Sequence, residues 1–141
     1  MSAVSSRRSR ILRVRQLEHR LATAKLRSAD AALRNLHNIS QRIADLEASL
    51  QPDGDKTSGL ELKALFEMSA RLEIAQNGLT MPTAQAEENR SNFQRLRQTA
   101  QLREEGATKL RDKAAHDEAT ASTLRTDANR PARRLVKRTT G

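Results

Sequence analysis

The chain has no cysteine, tryptophan or tyrosine, and only two phenylalanines, three prolines and five glycines in 141 residues. Without cysteine there is no disulfide, thiolate nucleophile or zinc ribbon, which fits a reducing compartment. A compact core of this length would hold several aromatics, because they supply much of the buried area. With so few glycines, two of them in one turn, nothing is available to cradle a phosphate, and neither a P-loop nor G-x-S-x-G occurs. No run approaches the about 18 uncharged apolar residues of a membrane span. The start, Ser6-Arg7-Arg8-Ser9-Arg10, has the arginine pair of a twin-arginine leader. Arg13, Arg15, Glu18, His19 and Arg20 then remove any apolar core, so an export signal is not expected. Asn38-Ile39-Ser40 and Asn89-Arg90-Ser91 match a glycosylation acceptor and are taken as chance matches.

Alanine, leucine, arginine, glutamate, glutamine and serine dominate instead, a composition of long helices. The clearest pattern is a seven-residue repeat. Leu65, Leu72, Leu79, Ala86, Phe93, Ala100, Ala107, Ala114, Ala121 and Ala128 are all apolar. The interleaved positions Met68, Ala75, Pro82, Asn89, Leu96, Arg103, Leu110, Asp117 and Leu124 are mixed. A seam of this length argues for a coiled coil. Upstream, Leu26, Ala29, Leu33, Leu36, Ser40, Ile43 and Leu50 keep the same spacing. Nearer the start a neighbouring stripe, Val14, Leu17, Leu21 and Ala24, is the more apolar, which predicts a change of register near Ala22–Leu26.

These patterns predict an all-α fold, a long antiparallel two-helix coiled coil. Residues 1–8 form a disordered basic N-terminus and 9–128 a single hairpin domain. Its parts are a helix over 9–50, a turn over 51–59 and a longer helix over 60–128; a flexible basic tail covers 129–141. The turn Gln51-Pro52-Asp53-Gly54-Asp55-Lys56-Thr57-Ser58-Gly59 is dense in helix breakers, and Ser58 with Glu61 spells a capping box. A short connection makes its flanking helices antiparallel neighbours. Asn77-Gly78-Leu79-Thr80-Met81-Pro82 predicts a kink or short break in the second helix. With the turn centred near Asp55, helix one ends against roughly Ala100, and Gln101–Ala128 is left without an intrachain partner. Residues 1–43 carry net +8, 44–89 net −6 and 90–141 net +7, which make up the overall +9. The basic segments meet at the open end of the hairpin.

Site chemistry is sparse. His19, His37 and His116 are far apart, and counting from the turn puts His19 near Asn92 and His37 near Glu73. A metal site needs three or four converging ligands, so no metal, no cofactor and no catalysis are expected. The basic runs Arg7, Arg8, Arg10, Arg13, Arg15 and Arg130, Arg133, Arg134 could meet nucleic acid, but no aromatic stacking platform accompanies them. A solvated end that docks on an acidic protein surface or a membrane-associated partner is preferred. Phe66 sits one position off the seam, beside Leu65, where it either widens the apolar face or contacts a partner.

The layout resembles a known family. A basic N-terminus runs into Leu12-Arg13-Val14-Arg15-Gln16-Leu17-Glu18-His19-Arg20-Leu21-Ala22, a turn follows at one third of the length, and an Ala-rich second helix ends in a basic tail. In this the chain resembles the flagellar export proteins of the FliJ type and their counterparts in virulence type III secretion. The resemblance covers most of the chain and has no short diagnostic motif. It implies a non-enzymatic protein-transport component, cytoplasmic and peripherally associated with the inner membrane at the export apparatus. Such a protein acts as the stalk of the hexameric export ATPase, touches the membrane export gate and binds export chaperones. By position the gate contact falls on Phe66, Met68, Leu72 and Ala75. The ATPase contact is assigned to Arg103, Ala107, Leu110, Ala114, Ala121 and Leu124, with the basic open end. The alternatives are a coiled-coil scaffold that self-associates and, third, a basic helical protein associated with nucleic acid.

Overall fold

Residues 3–49 contain neither glycine nor proline and are rich in strong helix formers, so nothing in them opposes one uninterrupted helix. In the computed structural model, which describes residues 2–51 and 58–130, they form α1 (Ala3–Ser49). Two more helices follow, α2 (Gly59–Gly78) and α3 (Thr80–Asn129), and among the described residues there is no strand. The all-α expectation holds. α1 begins ahead of the expected Ser9, because the Ser2 side chain accepts from the Ser5 N–H at 3.2 Å in the manner of an N-cap. It ends where Leu50 N–H turns back to Glu47 O at 3.2 Å. The capping box opens α2: the Glu61 N–H donates to Ser58 Oγ at 3.3 Å, and the Ser58 N–H donates to Glu61 Oε2 at 3.4 Å. Of the expected turn, 52–57 lie outside the described residues.

The expected kink is a single residue. Leu79 separates α2 from α3 with φ −84° and ψ −12°, close to helical values. The Thr83 N–H donates to Leu79 O at 3.0 Å, so the next turn closes at once. Pro82 falls in the first turn of α3, where an N–H has no intrahelical acceptor and its loss is tolerated. The heptad therefore keeps its phase: Leu72, Leu79, Ala86 and Phe93 are all half-buried.

The chain divides into two compact units, one of Met1–Leu21 with Gln98–Gly141 and the other of Ala22–Arg97. In the second, Gln76 Nε2 donates to Ser40 Oγ at 2.7 Å and Arg90 Nε meets Asp30 Oδ1 at 2.6 Å, so α1 meets both α2 and α3 there. Ala29, Leu33 and Ile43 are its buried apolar residues. In the first unit His19 Nδ1 donates to Glu104 Oε2 at 2.5 Å and the Ser2 N–H donates to Glu118, around buried Ser5, Leu12, Ala100 and Ala107. The paired numbers sum to between 116 and 123. These contacts fall later in the chain than the turn count, with its sum of about 110, placed them. His19 meets Glu104, not Asn92.

Two expectations about the seams change. In α1 the buried stripe does not shift: Ser5, Arg8, Leu12, Arg15, His19, Ala22, Leu26, Ala29, Leu33, Leu36, Ser40, Ile43 and Glu47 are each buried or half-buried. Val14, Leu17 and Leu21 are exposed, Leu17 by 57%. Polar members can hold seam positions because His19 has a carboxylate to bond and arginine stems cover apolar surface. In α2 and α3 the leucine-to-alanine row is the seam as far as Ala114, but the interleaved row Met68 to Leu124 is exposed throughout. The other flank is polar: Gln76, Thr83, Glu104, Arg111 and Glu118 are half-buried there.

Candidate docking surface

α2 carries apolar residues all round. A helix of that kind is normally enclosed, yet no residue of α2 is fully buried. Leu65 and Leu72, in the heptad seam, are half-buried. At about 100° per residue, Phe66, Ala70 and Ile74 fall on one face, away from that seam. Phe66 is 73% exposed and Ile74 71%, and Met81, at the start of α3, 78%. Lys63 continues this row toward the start of α2, Glu67, Glu73 and Arg71 border it, and all four are exposed. Large aliphatic and aromatic side chains this open, recurring on one face, mark an interaction surface more often than a solvated one.

The four residues proposed for a gate contact do not share that face. Phe66 belongs to it. Leu72 is in the seam, half-buried, so the hairpin already uses it. Met68 and Ala75 lie between the two and are exposed. Ala70, Ile74 and Met81 were missed by a reading that followed the seven-residue row alone. The signal was the i, i+4, i+8 spacing of Phe66, Ala70 and Ile74 one position out of phase with it.

The residues proposed for ATPase contact also divide. Ala107 is buried, 6% exposed, and Ala114 half-buried in the first unit. The segment after Ala100 is therefore not unpartnered, which corrects the expectation; α1 reaches it because it starts at Ala3 and pairs in the later register. Arg103, Leu110, Ala121 and Leu124 are exposed, and every described residue from Ala119 onward is exposed. Of the basic open end, Arg7, Arg10, Arg13 and Arg130 are exposed. Arg8 and Arg15 are half-buried, Arg15 bonding Glu18 at 3.0 Å; Arg133 and Arg134 lie outside the described residues.

No family model, no curated protein and no solved structure matches this chain.

Electrostatically the first unit has one distinctive carboxylate. The Ser2 hydroxyl and Ser2 backbone N–H, helped by the Ser5 hydroxyl, hold the Glu118 carboxyl below its ordinary 4.5. Among the described residues no three His, Cys, Asp or Glu side chains come together as a metal would require. His37 and His116 are exposed. Nor is any helix among those residues long and apolar enough to cross a membrane. What the surface can do is bind: an apolar row with a mixed-charge border suits the groove or helix of another protein.

Proposed function

We propose that this chain is a non-enzymatic docking protein whose α1 packs against α2 and α3 as an antiparallel coiled coil. Its working surface is the outer face of α2. The observation that carries this is the exposure of Phe66 and Ile74 on α2, continued by Met81 at the start of α3, on the side away from the half-buried Leu65 and Leu72. The resemblance to FliJ-type proteins supplies the specific reading: a stalk and escort factor of a flagellar or virulence type III export apparatus, cytoplasmic and peripheral to the inner membrane. On that reading the α2 face meets the export gate, the exposed end of α3 beyond Glu118 meets the hexameric ATPase, and export chaperones are further partners.

Binding of the purified full chain to the purified soluble domain of an export-gate protein and to the export ATPase tests the assignment. F66E/I74E is expected to abolish gate binding and leave ATPase binding intact; truncation after Glu118 is expected to do the reverse. Binding to neither protein sinks it. The same exposed row also favours a second reading, pairing of two copies through α2. Sedimentation separates the two: an invariant monomer supports the export reading, and a concentration-dependent dimer lost in F66E/I74E supports self-association.

A further inference from the structure

The outer face of α1 carries a second heptad that the fold does not use. Val14, Leu17 and Leu21 follow one another at 3/4 spacing opposite the buried Leu12, and each is more than half exposed. Arg10 continues the row toward the N-terminus. Arg13 and Arg20 stand seven residues apart along one edge of it, and both are exposed. The sequence repeats that interval at Arg27 and Arg34, also exposed on α1. Among the described residues Arg10, Arg13 and Arg20 form no ion pair with a carboxylate.

A charge repeated every seventh residue beside an aliphatic 3/4 row is what a helix presents at the flank of a coiled-coil seam. A flat anionic membrane imposes no such interval, and its amphipathic ligands carry a broader, aromatic-containing apolar face. We infer that the Arg10–Leu21 face of α1 docks a helix of a different protein, one whose own aliphatic heptad row is bordered by carboxylates at seven-residue spacing. A second copy of this chain is a poor occupant. Of its 17 acidic residues only Glu105 and Asp112 are seven apart, so it has no acidic ladder to offer. The chain's own C-terminal segment, with Arg133, Arg134, Lys137 and Arg138, has the wrong sign. This inference does not depend on the export reading.

The test uses the full chain and two synthetic heptad helices with identical leucine rows, one flanked by glutamate and one by lysine. The glutamate helix is expected to bind and the lysine helix not to. R13E/R20E should weaken the glutamate helix at least about tenfold and admit the lysine helix. L17A/L21A should weaken it comparably, while R103E/K109E, an equal charge change on α3, should leave it unchanged. All three variants alter exposed positions, and unchanged helical circular dichroism confirms that they fold. Equal loss in R103E/K109E would reduce the effect to net charge and overturn the proposal. So would indifference to L17A/L21A, failure of the glutamate helix to bind, or binding only to anionic vesicles.

Discussion

Glu118 gains its place from three donors at the start of α1: the hydroxyl and N–H of the capping Ser2 and the Ser5 hydroxyl. Because they favour the charged form, its folded pKa lies below the unfolded 4.5. The stabilisation is therefore complete above the unfolded value and is lost as pH falls through the folded one. The thermal midpoint should drop between about pH 7 and about pH 3 less steeply in E118Q than in the parent chain; equal slopes would show that the contact is not formed. Apolar residues divide as sharply. Leu33 is 7% exposed and Leu17 57%. Leu33→Ala should cost about 2–3 kcal/mol in denaturant unfolding and Leu17→Ala well under about 1 kcal/mol, although both leucines sit at helical 3/4 spacing. Gln76 is a third kind of residue. Its Nε2 bonds Ser40, but its Oε1 is buried with no partner. An unsatisfied buried acceptor costs stability, so Gln76→Leu should raise stability by about 1 kcal/mol. The natural glutamine then serves to fix which residues of α1 and α2 meet.

At the scale of elements, helix content and the capping box at Ser58 were legible because they depend on local chemistry. So was the weak point at Gly78–Pro82, which contracts to Leu79 because proline is harmless in a first turn. The first half of the α1 seam was not legible. Its occupants include Ser5, Arg8, Arg15 and His19, so hydrophobic periodicity pointed instead to Val14, Leu17 and Leu21 on the opposite face. Only a partner such as Glu104 makes a seam histidine tolerable, and that partner is 85 residues away. The exposed apolar face of α2 was half legible for a related reason: Phe66 stands out, whereas Ala70 and Ile74 are conspicuous only once Leu65 and Leu72 are known to be the half-buried side. α3 tests how far packing overrides propensity. Gly106 sits within it beside buried Ala107, and a Cβ there would meet nothing within 4 Å. Gly106→Ala should therefore stabilise by about 0.5–1 kcal/mol through the unfolded chain and helix propensity alone. A loss of stability in thermal unfolding would mean that α3 is not a regular helix at that point.

For the molecule as a whole, the decisive question is where intrachain packing stops. Counting from the turn placed that limit at Ala100; among the described residues Ala107 and the Ser2–Glu118 contact move it to Glu118. Beyond it every described side chain is exposed, and Thr120, Thr123 and Thr126 each bond a carbonyl four residues back, a habit that does little for helix stability. Removing 119–141 should thus leave the thermal midpoint nearly unchanged, with a loss of helical signal no larger than the residues removed. Ending the chain after Ala100 is a different operation. It deletes Glu104 and Glu118, which accept from His19 and from Ser2 and Ser5, together with the buried Ala107, and leaves the first part of α1 as a helix without a partner. A solitary amphipathic helix is marginal in water, so circular dichroism should show a second loss of helix, from α1 itself, on top of the residues deleted. If the two truncations instead lose signal only in proportion to length, α1 does not need α3 and the pairing of Ser2–Leu21 with the segment after Gln98 is wrong.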